Sequence, residues 1–384
     1  MASHPWLTFQ LDLRRAPFSL WTSLGAAQSK CAHIARTLLP PDVSAELYRI
    51  YLAKGVMATT AIEGNTLSEQ EVLEIVQGRD HLRKSQEYQA REVRNIIDAC
   101  NWIVADILAG QSPDVSFKRI QNFNRKVLES LKLDDGVVPG EVRRHSVTVG
   151  RYRGAPSEDC KYLLDKLCIW INQQIQPPNP ELTVAFGIVR AVMAHLYLAW
   201  IHPFGDGNGR TARLVELQIL MASGVPAPAA HLLSNHYNQT RQEYYRQLDR
   251  ASKIGGDVLP FLEYAIQGFG EGLDEQISRI DQHHWRATWK EFVYSAFQDR
   301  VGPTARRQRQ VALDLWAFQF EPLEISKIPT MTPEVARLYA VVGKRTLARD
   351  LNELERLGII QQDRHSARIN GQTVLRWLPK VKTT

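Results

Sequence analysis

His202-Pro203-Phe204-Gly205-Asp206-Gly207-Asn208-Gly209-Arg210-Thr211-Ala212-Arg213 joins two helical patterns, and the reading of the whole chain turns on it. On its N-terminal side, residues 183–200 (TVAFGIVRAVMAHLYLAW) are apolar almost all round, the mark of a helix enclosed by others. On its C-terminal side a second helix is predicted from about Arg210 to Ser223. Gly207 and Gly209 clear side chains from a turn that opens this helix, so backbone N–H groups can converge on an anion at the positive end of the helix dipole. Arg210 and Arg213 lie three apart on its first turn and can offer two fork-shaped donors to the same anion, which suits more than one phosphate. Asp206 would repel bare phosphates but becomes useful if Mg2+ bridges its carboxylate to phosphate oxygens. His202 is a titratable base beside them. A Gly-Asn-Gly turn alone is most often a solvated helix start, but base, metal ligand and anion cradle together describe phosphoryl or nucleotidyl transfer.

Most of the remaining chain repeats apolar residues at intervals of three and four, so the fold class expected is mainly α. A helix over 43–63 should close at Gly64 and Asn65, and Thr66 should restart one with Glu69 as its capping-box partner. Another is expected from Gln86 to Leu108, with Val93, Ile96, Ile97 and Cys100 on one side. Between Gly140 and Gly154 the pattern becomes that of a hairpin, in which Val147 and Val149 alternate with polar residues around Thr148. From about 310, TPEVARLYAVVGKRTLARDLNELERLG followed by IIQQDRHSARINGQTVLRWL reads as helix-turn-helix and then two short strands, the order of a winged helix.

A chain of 384 residues, 44% hydrophobic and 23% charged, suits two or three globular domains. No apolar run is expected to span a bilayer and the first residues lack the order of a signal peptide, so the expected location is the cytoplasm. Four scattered cysteines without a C-x-x-C pair read as free, mostly buried thiols. The net charge of +6 is uneven: residues 300–384 hold 15 Lys+Arg against 8 Asp+Glu, leaving the rest close to neutral. An acidic partner, nucleic acid first, is expected for that end.

The twelve residues from His202 to Arg213 resemble, without a mismatch, the Fic (filamentation induced by cyclic AMP) motif H-x-F-x-[DE]-G-N-G-R-x-x-R. The resemblance implies a Fic-type helical bundle with a small β-hairpin flap and a protein adenylyltransferase activity, moving AMP from ATP to a Ser, Thr or Tyr hydroxyl of a target protein. It implies that His202 deprotonates that hydroxyl, Phe204 anchors the loop and Asp206 binds magnesium. Gly207, Asn208 and Gly209 would hold the α- and β-phosphates, Arg210 would support them, and Arg213 would meet the γ-phosphate. The hairpin with Val147, Thr148 and Val149 resembles the family's flap, which holds the target segment by strand addition. Tyr244 and Tyr245, with Leu248, resemble its adenine wall, although Ser252 stands where members often carry asparagine. The intact glycines favour AMP transfer over the family's phosphotransferase variant.

Upstream, Thr59-Thr60-Ala61-Ile62-Glu63-Gly64-Asn65 resembles the family's inhibitory pattern [ST]-x-x-x-E-[GN]. Thr59 and Glu63, four apart, can face one neighbour, and a carboxylate at the negative end of a helix wants a cation. If that cation is Arg213, Glu63 replaces the γ-phosphate. The expected organisation is an N-terminal helical region (1–112), a Fic core (113–270), a helical connector (271–305) and a winged helix-turn-helix domain (306–384). In the last, Leu347, Leu351, Leu354 and Leu357 share one helix face, with Arg345, Arg349, Asn352 and Arg356 opposite. The partners implied are ATP, a target hydroxyl, the chain itself as target, DNA through residues 306–384 and a second copy; no membrane partner is expected. Two rival readings stand beside the transferase: a DNA-binding regulator whose core senses nucleotide, and removal of AMP at the same site.

Overall fold

The computed structural model describes residues 4–79, 83–111, 114–149, 152–253, 255–318 and 321–371. The hairpin tip at 150–151, the packing expected of Val149 and the end of the second C-terminal strand at 372–384 lie outside the described residues. The elements run α1 (Phe18–Arg36), α2 (Pro41–Ala61), α3 (Glu69–Val76), α4 (Glu87–Leu108), α5 (Phe117–Val127), β1 (Thr148–Val149), β2 (Tyr152–Arg153), α6 (Cys160–Ile169) and α7 (Thr183–Ile201). They continue with α8 (Asn208–Ala222), α9 (Leu232–Gln239), α10 (Arg241–Lys253), α11 (Leu259–Ala296), α12 (Pro303–Asp314), β3 (Leu323–Glu324), α13 (Pro333–Tyr339), α14 (Lys344–Arg356), β4 (Ile360–Gln362) and β5 (Ser366–Ile369). The molecule is mainly helical, and the chain forms two compact units, Met1–Ile277 and Ser278–Thr384.

The first unit is built around α7. All of its side chains from Ala185 to Ile201 are buried except Arg190 and Ala199, each large one removing about 1.5–3 kcal/mol of apolar hydration cost. By length and hydropathy the segment Pro180–Ile201 could cross a membrane, which corrects the expectation that no apolar run reaches that length; its apolarity instead meets the bundle, with 83% of the window buried. Helix α8 packs back along α7 so closely that a Cβ at Gly187 would collide with Ser223 at the far end of α8. The tight pair holds the connecting turn, Ile201 to Gly207, at one end of the bundle. The four cysteines are free and buried.

One local expectation is corrected, and the hairpin expected between Gly140 and Gly154 forms. The capping box of α3 is Ser68 with Glu71, not Thr66 with Glu69. Asn65 Oδ1 accepts from Leu67 N at 3.0 Å and keeps residues 65–67 out of the helix, so the helix starts two residues later. The strands of the flap are only two residues each, paired antiparallel with Thr148 opposite Arg153 and Val149 opposite Tyr152. Such a hairpin needs support. His4 Nε2 bonds the Arg153 carbonyl at 3.0 Å and the Tyr152 hydroxyl donates to the Trp200 carbonyl at 2.7 Å.

The second unit has its own core of Trp289, Val293, Phe297, Val311, Leu351 and Leu354, among others. Helices α12, α13 and α14 accompany an antiparallel sheet of order β3-β5-β4, with Ile360 opposite Ile369. Asp350 of α14 is buried in a pair with Arg307 at 2.6 Å and also accepts from Gln308 and the Tyr339 hydroxyl. Leu351 and Leu354 are buried while Arg345, Arg349, Asn352 and Arg356 are exposed.

Candidate active site

Helix α7 ends at His202, whose backbone takes the left-handed conformation (φ 50°, ψ 60°), a C-cap usually left to glycine. Arg143, buried just before the flap, donates from Nε to the His202 carbonyl at 2.8 Å and from Nη1 to the His145 carbonyl at 2.6 Å. One guanidinium therefore fixes both the histidine and the base of the flap. The His202 ring lies with Nδ1 3.3 Å from the Ala199 carbonyl. A carbonyl can only accept, so Nδ1 carries the proton and Nε2 is the free base. Burial lowers the imidazole to about 4, against the Ala199 bond, which favours the charged form; His202 is neutral near pH 7.

The turn after it is held from inside. Phe204 is buried, and its N–H and C=O both bond the Asn208 side chain at 2.8 Å. The Asn208 amide is therefore spent on the turn, and what Asn208 can offer an anion is its backbone N–H. Gly207 takes φ 74°, where a side chain is strained. Asn124 of α5 donates to the Asp206 carbonyl at 2.9 Å.

Helix α8 then presents both arginines. Arg213 is almost fully buried: Nε donates to Thr59 Oγ1 at 2.5 Å, and Nη2 to the Thr59 carbonyl at 2.9 Å and to Glu63 Oε1 at 2.6 Å. Glu63 lies over Gly209, so closely that a Cβ there would collide with its carboxylate. Burial alone would raise the Glu63 carboxyl, but Arg213, with help from Arg210 and His202, holds it below the usual range. Arg210 is gripped differently, by Glu92 of α4 at 2.6 Å and by Asp206 at 3.3 Å. Its Nε is buried without a partner among the described residues. The Asp206 carboxylate is about half exposed, at 46%, and Oδ1 also accepts from Gly207 N–H.

These groups open on one cavity of about 490 Å3, lined by Glu63, His202, Gly209 and Arg213 at one end and by Trp200, Tyr244 and Tyr245 at the other. Tyr244 is buried and bonds His195 Nε2 at 2.9 Å, while Tyr245 is half exposed. Leu248, Asp249 and Lys253 of α10 complete the rim, and Ser252 turns away to bond the Asp249 carbonyl at 2.8 Å. The structure thus brings His202, Asp206 to Gly209, Arg213, Glu63, Thr59, Tyr244 and Tyr245 to one place, with Arg210 behind the turn. The flap reaches it through Tyr152 and Gly154, where a Cβ would stand 3.0 Å from His202 Cβ. Val147 is half buried and Thr148 exposed. Sequence reasoning missed Arg143, Glu92, Asn124 and Arg241, whose Nη2 donates to the Ile62 carbonyl. Their only signal is charge or amide in helical or loop segments, which most often means solvent.

Comparison with known proteins meets this geometry at the turn and the helices on either side of it. Residues 114–220 match the Fic/DOC family. Protein adenylyltransferase fic-1 of Caenorhabditis briggsae is 32% identical over 241 residues, 62% of this chain and 43% of that protein. The chain therefore spans less than half the length of this relative. Among solved structures, Fic-1 of C. elegans superposes with a TM-score of 0.55 at 26% identity, covering 68% of this chain and 73% of that one. A Fic family protein from Desulfovibrio desulfuricans gives 0.57 at 19% identity, covering 92% and 97%, and speaks for the fold alone. Motif, geometry and family match thus fall on one helix pair and its turn, within the segment 114–220 that matches the Fic/DOC family.

Proposed function

We propose that the chain is a protein adenylyltransferase held in check by Glu63. The observation that carries this is the cavity in which a neutral buried histidine, a helix N-terminus with Arg213 and a tyrosine wall converge. ATP would lie with its base against Tyr244 and Tyr245 and its phosphates on the backbone N–H groups of Gly207 to Gly209. The target hydroxyl oxygen attacks the α-phosphorus, the bond to the β-phosphate oxygen breaks, pyrophosphate leaves, and the hydroxyl proton passes to His202 Nε2. Arg213 would balance the charge of the γ-phosphate, the place Glu63 occupies.

The donor set fits magnesium. Asp206 is one exposed hard-oxygen ligand beside the phosphate turn, and Mg2+ commonly takes one or two carboxylates plus substrate phosphates. When bound, the ion would neutralise developing charge on the phosphate oxygens. His202→Ala tests the assignment: with labelled ATP in single turnover, transfer should fall on the order of a hundredfold to ten-thousandfold while ATP binding persists. Retained transfer removes His202 as the base and overturns the mechanism.

For the second unit we propose contact with duplex DNA through α14. Its acids are consumed internally: Asp350 by Arg307, Glu353 by Arg300 and Arg356, and Glu355 by Gln362. Arg345 and Arg349 are exposed and carry no ion pair among the described residues. A helix face with two unpaired arginines, and with its acids each bonded to another side chain, suits a polyanion.

A further inference from the structure

We infer that Glu92 is a positioning residue for this reaction, orienting Arg210 and, through Asn65, coupling that arginine to the inhibitory segment. The inference rests on the transferase reading. Glu92 stands on the inner face of α4 beside Val93 and Ile96 and is only 8% exposed. A carboxylate in such a place is costly unless paired. It has two partners: Arg210 Nη1 donates to Oε1 at 2.6 Å, and Asn65 Nδ2 donates to Oε2 at 3.0 Å.

The consequences differ at the two ends. At Arg210, the Glu92 bond is short and charge-assisted, whereas the contacts to the half-exposed Asp206 are long, at 3.3 and 3.4 Å. Glu92 therefore fixes the plane of the guanidinium whichever way Asp206 turns, and leaves Nε as its uncommitted donor. At Asn65, one amide holds Glu92, bonds the Gln89 carbonyl at 3.0 Å and caps Leu67 N, so it ties the chain leaving α2 to α4. Both motif arginines are thus joined to the same short segment. Arg213 meets it through Thr59 and Glu63, and Arg210 meets it through Glu92 and Asn65.

The test uses the full chain and labelled ATP, in the released Glu63→Gly background and in the wild type. Glu92→Gln keeps the volume and, with its amide oxygen toward Asn65, that bond, but removes the carboxylate charge that faces Arg210. In the released background it should lower kcat by about tenfold or more, the loss expected of one charge-assisted hydrogen bond, while KM for ATP moves by less than about threefold. Glu92→Asp, which keeps the charge, should recover part of the loss, and it carries the test if Glu92→Gln is too unstable to assay. Asn65→Ala should raise transfer several-fold in the wild-type chain and add nothing once Glu63 is glycine, because both act on one latch. A buried pair that only stabilises the fold would lower melting temperature without this kcat effect. Unchanged kcat in the released background, or an Asn65→Ala effect equal in both backgrounds, overturns the inference. If the Glu63→Gly chain itself transfers no AMP, the transferase reading fails first and this inference with it.

Discussion

Glu63→Gly should turn a nearly silent enzyme into an active one, and the structure sets the scale. The carboxylate engages Arg213 through one charge-assisted hydrogen bond at 2.6 Å. Arg213 is 2% exposed, but the Glu63 side chain is 33% exposed, so the full penalty of a deeply buried ion pair does not apply. A bond of this kind is worth about 1.5–3 kcal/mol, which corresponds to roughly a tenfold to 150-fold change in an equilibrium. ATP entering the wild-type site must displace that bond, or bind without its γ-phosphate on Arg213. Thr59 remains on Arg213 in either case, so the arginine stays in place when Glu63 is lost. Glu63→Gln is the gentler comparison, since an amide oxygen can still accept from Arg213 without the charge, and its release should be smaller. The assay is incorporation of labelled AMP into the protein itself, with ATP affinity by calorimetry, for the three chains side by side. Equal incorporation in all three would mean that Glu63 is not a brake. Lower incorporation in both variants would make Glu63 a participant in transfer itself and would equally refute the brake.

The pH dependence of the Glu63→Gly chain should have an acid limb well below 6.5, because His202, held near 4 by burial, loses its free base form only as pH falls through that value. The variant is needed because Glu63, with its lowered folded value, contributes its hold above the usual carboxylate range and loses it as pH falls through the lowered value, so the two titrations would overlap in the wild type; an acid limb at 6.5 or above would contradict the buried neutral histidine. Reversing charge at Arg345 and Arg349 in the full chain should abolish a salt-sensitive mobility shift of duplex DNA, and no shift by the wild type at low salt would make α14 a protein-contact face.

How legible each part was depended on how local its cause is. The buried helix α7 was readable because a segment apolar on every side has nowhere to go but inside a bundle. The start of α3 was misread by two residues because Thr66 and Ser68 both have an acid three positions on, and only the Asn65 bond to Leu67 N decides between them. The length of the flap strands was likewise set by what lies against them, His4 and the Trp200 carbonyl, rather than by the alternation of Val147 and Val149.

By itself the sequence determined the helical class and the chemistry of the turn, because a base, a carboxylate, two glycines and two arginines within twelve residues must share a small volume whatever surrounds them. Their spacing also placed Thr59 and Glu63 near one another. Only the tertiary structure decided which cation those two would meet, and that the Asn208 amide would be spent on Phe204. It also decided that Arg143 would hold His202 from 59 residues away and that Glu92 would hold Arg210 from 118. The physical reason is that a charged residue on a helix is satisfied equally well by water until packing removes the water. From then on its partner is chosen by burial across the bundle, where distance along the chain carries no information.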